Sequence, residues 1–244
     1  MHDTKTLFSL FRDYAKTKNY ALALHELLNY FLMPFKVYET PEEKSTALDY
    51  LATHPQANLI FPILEELGTL SEGFADPLGH LYERLISKGE KGQFFTPEHV
   101  ADLMAAITIP ENTPPGNRVY DPACGSGRML LAAAKLNRHF HFYGADVDGL
   151  CAKITAVNFL LQSLTGEVAH INSLTNEFYG GYKIGTVLRD GFHMPCYLPI
   201  DDRVDSYIWN VTRTSGKKRE FDTPFNPVST GPITGTQGDL FEQP

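Results

Sequence analysis

The feature that most constrains this chain is the run Val119-Tyr120-Asp121-Pro122-Ala123-Cys124-Gly125-Ser126-Gly127-Arg128-Met129-Leu130-Leu131, which reads as a β-strand, a tight glycine turn and the first turn of a helix. Backbone N–H groups at such a junction point toward a bound ligand, and the geometry suits a nucleotide-like molecule. Gly125 and Gly127 let the backbone turn sharply and approach that ligand without a Cβ in the way. Asp121, at the strand end, is placed to accept hydrogen bonds from it. Gly-x-Gly alone is a weak signal, and the third glycine of a dinucleotide fingerprint is missing. The longer string Asp-Pro-Ala-Cys-Gly-Ser-Gly-Arg is far more specific.

The residues that follow extend the pattern. Residues 126–136 read as a helix, and His139-Phe140-His141-Phe142-Tyr143-Gly144-Ala145-Asp146 as a second strand. Asp146 stands 19 residues after Gly127. An acid at the end of the second strand, at an offset of roughly 20 residues, binds a ribose hydroxyl in such folds. Asp148 competes for that role, and Asp146 is favoured because it follows the apolar strand directly. Residues 149–164 form the next helix, with an apolar face through Ile154, Val157, Leu160, Leu161 and Leu164. A third strand spans 168–171, with Asn172-Ser173-Leu174 at its end. Strand alternating with helix implies a parallel sheet of Rossmann-like type, an α/β fold. Residues 180–199, rich in glycine, proline and aromatics, carry no assignment.

Residues 1–90 read as an all-helical N-terminal region. Leu7, Phe8, Leu10, Phe11 and Tyr14 recur at helical spacing, and an apolar stripe continues through Leu22, Leu24, Leu27 and Leu28. Thr40-Pro41-Glu42-Glu43 and Asp76-Pro77 are helix starts, with a capping side chain and proline at the first position. After a glycine- and charge-rich link at 88–93, Phe94-Phe95-Thr96-Pro97 opens another helix, with Thr96 as its cap and Pro97 in its first turn. The positive end of that helix suits a carboxylate.

A chain of 244 residues can form one domain with a substantial extension, or two modest ones. Its 43% hydrophobic and 20% charged residues are ordinary for a globular protein. The start, Met1-His2-Asp3-Thr4-Lys5, lacks a basic region followed by an apolar stretch, and no apolar run approaches spanning length, so a cytoplasmic protein without a membrane segment is the expectation. Cys124, Cys151 and Cys196 are scattered, and no metal site is expected from them. A formal charge of −8 argues against non-specific coating of DNA, which needs a basic face.

From about Asp76 to Asn210 the chain resembles DNA adenine-N6 methyltransferases, in particular the modification subunits of type I restriction systems. The resemblance implies S-adenosylmethionine as cofactor, held by Asp121, Ala123, Gly125, Gly127 and Asp146. It also implies that Phe95, Thr96 and Pro97 lie against the cofactor and that Asn172 lies beside its adenine. Family members methylate with an Asn-Pro-Pro-aromatic loop after a fourth strand, whose Asn accepts the amino hydrogens of a flipped base while the aromatic stacks on it. The matching stretch, residues 204–213, reads as a strand ending at Asn210, the expected catalytic residue, followed by Val211-Thr212-Arg213 where the family has Pro-Pro-aromatic. With 34 residues after Asn210, the chain reads as a shortened member with an incomplete sheet. Domain boundaries follow at 1–90, 91–212 and a flexible tail at 213–244.

Two functions compete: an adenine-N6 DNA methyltransferase, or an inactive pseudo-methyltransferase that binds cofactor or serves as a structural partner. DNA and a specificity or other protein subunit are the partners that the resemblance implies. In the tail, Gln237-Gly238-Asp239-Leu240-Phe241 is similar to peptides that dock on the bacterial sliding clamp.

Overall fold

The computed structural model describes residues 4–87, 95–189 and 191–213. The expected link at 88–93, the tail beyond 213 and the clamp-like peptide at 237–241 lie wholly or largely outside the described residues.

Five helices come first: α1 (Lys5–Tyr14), α2 (Tyr20–Leu32), α3 (Pro41–Thr53), α4 (Ala57–Leu70) and α5 (Pro77–Tyr82), the last running into a π-turn at Glu83–Ser87. Side chains fix several starts by accepting orphan N–H groups: Asn19 from Ala21 and Leu22, Thr40 from Glu43, and Asp76 from Gly79. Leu7, Phe11, Leu24, Leu27, Ile60 and Ile63 are all fully buried. They belong to a cluster that runs without a break into Phe142, Phe159 and Val168 of the sheet region. The helical region and the sheet therefore share one core.

Then follow α6 (Glu98–Thr108), β1 (Arg118–Asp121), α7 (Arg128–Leu136), β2 (His141–Asp146), α8 (Gly149–Leu161), β3 (Thr165–Asn172), β4 (Glu177–Arg189), β5 (Phe192–Ile200) and α9 (Tyr207–Arg213). The sheet order is β1-β2-β3-β4-β5. The first three strands are parallel, joined by α7 and α8, as the Rossmann-like expectation requires. Alternation sorts side chains between the two faces. Phe142 packs with Phe159 of α8 on one face, while Tyr143, Ala145, Ala169 and Ile171 line the other.

Two expectations need correction. The unassigned stretch 180–199 is most of an antiparallel hairpin, β4 against β5, and β4 also runs antiparallel to β3, so the sheet is mixed rather than parallel. The stretch 204–213 is not a strand: a 3-10 turn at Arg203–Asp205 leads into α9. Glu167 of β3 decides this locally. Its carboxylate, held 2% exposed, accepts from Ser206 Oγ, Tyr207 N–H and Ile208 N–H and so fastens a helix start onto the sheet. Ile208 and Trp209 then cover Ala145, Ala169 and Ile171. Among the described residues no helix is long and apolar enough to cross a membrane.

Candidate functional site

The glycine turn sits at the carboxyl end of β1 and β2, where a parallel sheet presents its ligand-facing loops. Asp121 Oδ1 accepts from the Ala123 N–H at 3.0 Å and opens the turn. Gly125 and Gly127 both adopt left-handed backbone, with φ +55° and +83°. Their tight neighbours differ. A Cβ on Gly125 would lie 2.8 Å from the ring of Phe95, and one on Gly127 would lie 2.9 Å from Thr155 of α8. Gly125 thus admits the aromatic wall, whereas buried Gly127 lets α8 approach the turn.

Asp146 accepts from the Gly125 N–H through Oδ2 at 2.8 Å and from the Asp148 N–H through Oδ1 at 2.8 Å. Burial raises its pKa, and the neighbouring charges of Asp148 and Asp121 push the same way, against the two N–H donors. Asp121 is likewise raised by burial. The rival acid is otherwise engaged: Asp148 caps α8 through the Leu150 N–H and takes the hydroxyl of Tyr82 at 3.2 Å. Of the two acids at the end of β2, Asp146 is the one bonded to the glycine turn.

Phe95 and Thr96 approach from the other side. The Phe95 ring stacks on Tyr82 with centroids 5.4 Å apart. Thr96 does not cap α6: the helix starts at Glu98 with Pro97 before it and no side-chain cap. Its carbonyl instead accepts from Arg128 at 2.9 Å. A cleft of about 780 Å3 brings together Phe95, Thr96, Asp121, Ala123, Gly125 and Arg128, walled by Val100 and Met104 of α6. Pro97, Gly127, Asp146, Asn172 and Asn210 do not line it. Asp146 joins it through Gly125, and Ser173, next to Asn172, donates to the Pro122 carbonyl at 2.7 Å. Asn172 itself accepts from the Leu174 and Thr175 N–H groups.

Asn210 stands apart, on α9. Its amide donates to the carbonyls of Val204 and Ser206 at 2.9 and 2.7 Å, the cause being the helix that replaces the expected strand and loop. Neighbouring Trp209 and Thr212 of α9 bond to Asn176, just beyond β3.

Sequence reasoning missed a buried polar network beneath the turn. Asp76, besides capping α5, accepts from Ser126 Oγ, Arg128 Nε and Asn158 Nδ2. Arg128 also donates to Glu83 at 3.0 Å. One signal was available: a cation in the first turn of a helix opposes the helix dipole and calls for a carboxylate nearby. All three thiols are buried and unpaired, and burial pushes each pKa up, Cys124 well above its usual value, which leaves none as a ready nucleophile. Among the described residues no group of three or more His, Cys, Asp or Glu could hold a metal ion.

The site therefore offers carboxylate acceptors for hydroxyl or ammonium groups, a turn of exposed backbone, and an aromatic wall. Residues 74–187 match the family model described as N-6 DNA methylase. The methylase subunit of the type I restriction enzyme MpnII from Mycoplasma pneumoniae is 25% identical over 175 residues, 66% of this chain and 32% of that protein. The MjaVIII methylase subunit from Methanocaldococcus jannaschii is 28% identical over 148 residues, 53% of this chain and 25% of that protein. A solved structure of a type I restriction-modification methyltransferase subunit from Streptococcus thermophilus aligns at 16% identity and TM-score 0.37, covering 66% of this chain and 56% of that one. The chain spans 32% and 25% of the length of the two named methylase subunits.

Proposed function

We propose that the chain, whose residues 74–187 match the N-6 DNA methylase family model, binds S-adenosylmethionine at the glycine turn and serves methyl transfer to adenine N6 in DNA. The observation that carries this reading is the convergence of three separate segments, Phe95–Thr96, Asp121–Gly127 and Asp146, on one strand-end junction. The fit is chemical: Asp146 offers acceptors of the kind that ribose hydroxyls need, while the bare Gly125 lets the Phe95 ring close against the turn. When bound, the cofactor supplies an activated methyl group on a sulfonium. The residues of this chain would orient it: Asp146 at the ribose and Asp121, Ala123 and Gly125 at the methionine portion, with Phe95 and Thr96 as a wall, whereas Pro97 and Asn172 do not line the cleft. Gly127 supports the turn from beneath.

The relatives are named as methylase subunits of restriction enzymes, which supports a protein that works with a further subunit on DNA. Asn210 is the proposed contact to the target base. A second reading, cofactor binding without catalysis, draws on one observation: the Asn210 amide is engaged by two backbone carbonyls, and Val211-Thr212-Arg213 follows it in place of a stacking loop.

Transfer of a labelled methyl group to adenine-containing DNA tests the two, with Asn210→Ala beside the wild type. Under the first reading the wild type transfers label, and the variant loses about two orders of magnitude, the scale of a lost transition-state hydrogen bond. Binding of S-adenosylmethionine without transfer to any DNA would move the assignment to the second reading.

A further inference from the structure

We infer that Arg128 is a positioning residue that fixes the Phe95–Thr96 wall against the glycine turn, so that the cofactor site is assembled by the guanidinium that ends the glycine motif. The inference rests on the cofactor reading for its functional consequence and on geometry for the rest.

Arg128 lies in the first turn of α7 with its side chain only 7% exposed. A cation there is disfavoured by the helix dipole and by burial, so its retention needs compensation. Charge is offset by two carboxylates, Asp76 at 3.0 Å from Nε and Glu83 at 3.0 Å from one terminal nitrogen. The other terminal nitrogen does something charge balance does not require, donating to the Thr96 carbonyl at 2.9 Å. Glu83 completes the clamp with its second oxygen, which accepts the Phe95 N–H at 3.2 Å. Consecutive residues of the wall are thus gripped on both N–H and C=O. The Phe95 ring, with the guanidinium 5.7 Å from its centroid, is pressed onto Gly125.

The fork geometry matters because a guanidinium presents donors in three fixed directions, whereas an ammonium is a point charge on a flexible stem. Lysine at this position could neutralise Asp76 but could not reach Glu83 and Thr96 at once. Arg128→Lys therefore separates charge from position.

The test measures S-adenosylmethionine binding by calorimetry and amide hydrogen exchange of the ligand-free protein, for wild type, Arg128→Lys and Glu83→Ala. Glu83 is partly exposed, so its variant remains folded if buried Arg128→Lys does not. Lys135→Ala, which removes a surface pair with Asp102, serves as the control. Both test variants are expected to bind at least about tenfold more weakly while the control is unchanged. Amides at the start of α6 should exchange faster in both variants, with the α2 and α8 amides unaltered. Folded variants with wild-type affinity and wild-type exchange would overturn the inference. Faster exchange at the wall in a protein whose wild type binds no S-adenosylmethionine would leave the clamp standing and remove the cofactor reading instead.

Discussion

Asp146→Ala is expected to lower affinity for S-adenosylmethionine by about a hundredfold or more, since a charged acceptor contributes about 1.5–3 kcal/mol per hydrogen bond and a ribose offers two hydroxyls. The same substitution releases the Gly125 and Asp148 N–H groups, so part of the loss would come from a loosened turn. Asp146→Asn keeps the shape and one acceptor but turns its amide nitrogen toward one of the two N–H groups, and should lose about tenfold. Burial adds a pH signature. The pKa of Asp146 is raised above its ordinary 3.8, so the ligand-accepting carboxylate is protonated earlier as pH falls. Affinity should therefore decline on acidification through a midpoint above 3.8, and the decline should flatten in Asp146→Asn. Calorimetric titration across pH reads both effects. Wild-type affinity in Asp146→Ala would remove the ribose assignment.

How much of this was legible in the sequence follows from how local each interaction is. The strand, glycine turn and helix at 118–136 could be read because glycine conformations and apolar periodicity are written in adjacent residues. The preference for Asp146 over Asp148 rested on position alone; the bonds that tie Asp146 to Gly125 and Asp148 to the start of α8 join residues that the local pattern does not link. The β4–β5 hairpin was hidden by its prolines. Pro195 and Pro199 flank Tyr197, whose carbonyl accepts the Val37 N–H on the outer side of β5, so both imides lie on the side where the sheet needs no donor. Composition cannot reveal which side of an edge strand a proline faces. The helix at 207–213 depends on Glu167, 40 residues before Tyr207, and local pattern at 204–210 gave no hint of it. Thr96 misled for a similar reason. It has the form of a cap before Pro97, yet its carbonyl is held by Arg128, 32 residues further on.

The same distant coupling makes Asp76→Ala the substitution with the largest expected effect on stability, about 3–5 kcal/mol, the scale for stripping one partner from a buried ion pair. Four donors converge on this carboxylate: Gly79 N–H at 2.8 Å, Arg128 Nε at 3.0 Å, Asn158 Nδ2 at 2.9 Å and the Ser126 hydroxyl. Burial drives the pKa of Asp76 up, while Arg128 and the other donors oppose it. Removing the side chain leaves Arg128 with Glu83 as its remaining carboxylate, and leaves Asn158, whose Oδ1 already lacks a partner, with the Ser126 carbonyl alone. Replacing both members, as in Asp76→Leu with Arg128→Met, should recover much of the loss, because no buried charge is then orphaned. Urea unfolding followed by circular dichroism measures each step, and a loss under about 1 kcal/mol for Asp76→Ala would show that the network carries little stability. The shape of the transition carries a further test. Asp76 belongs to α5 of the helical region, while Ser126, Arg128 and Asn158 belong to the sheet region, and the two share a continuous core. Unfolding should then be a single cooperative step in the wild type, and two separated steps would mean that residues 1–90 fold as an independent unit.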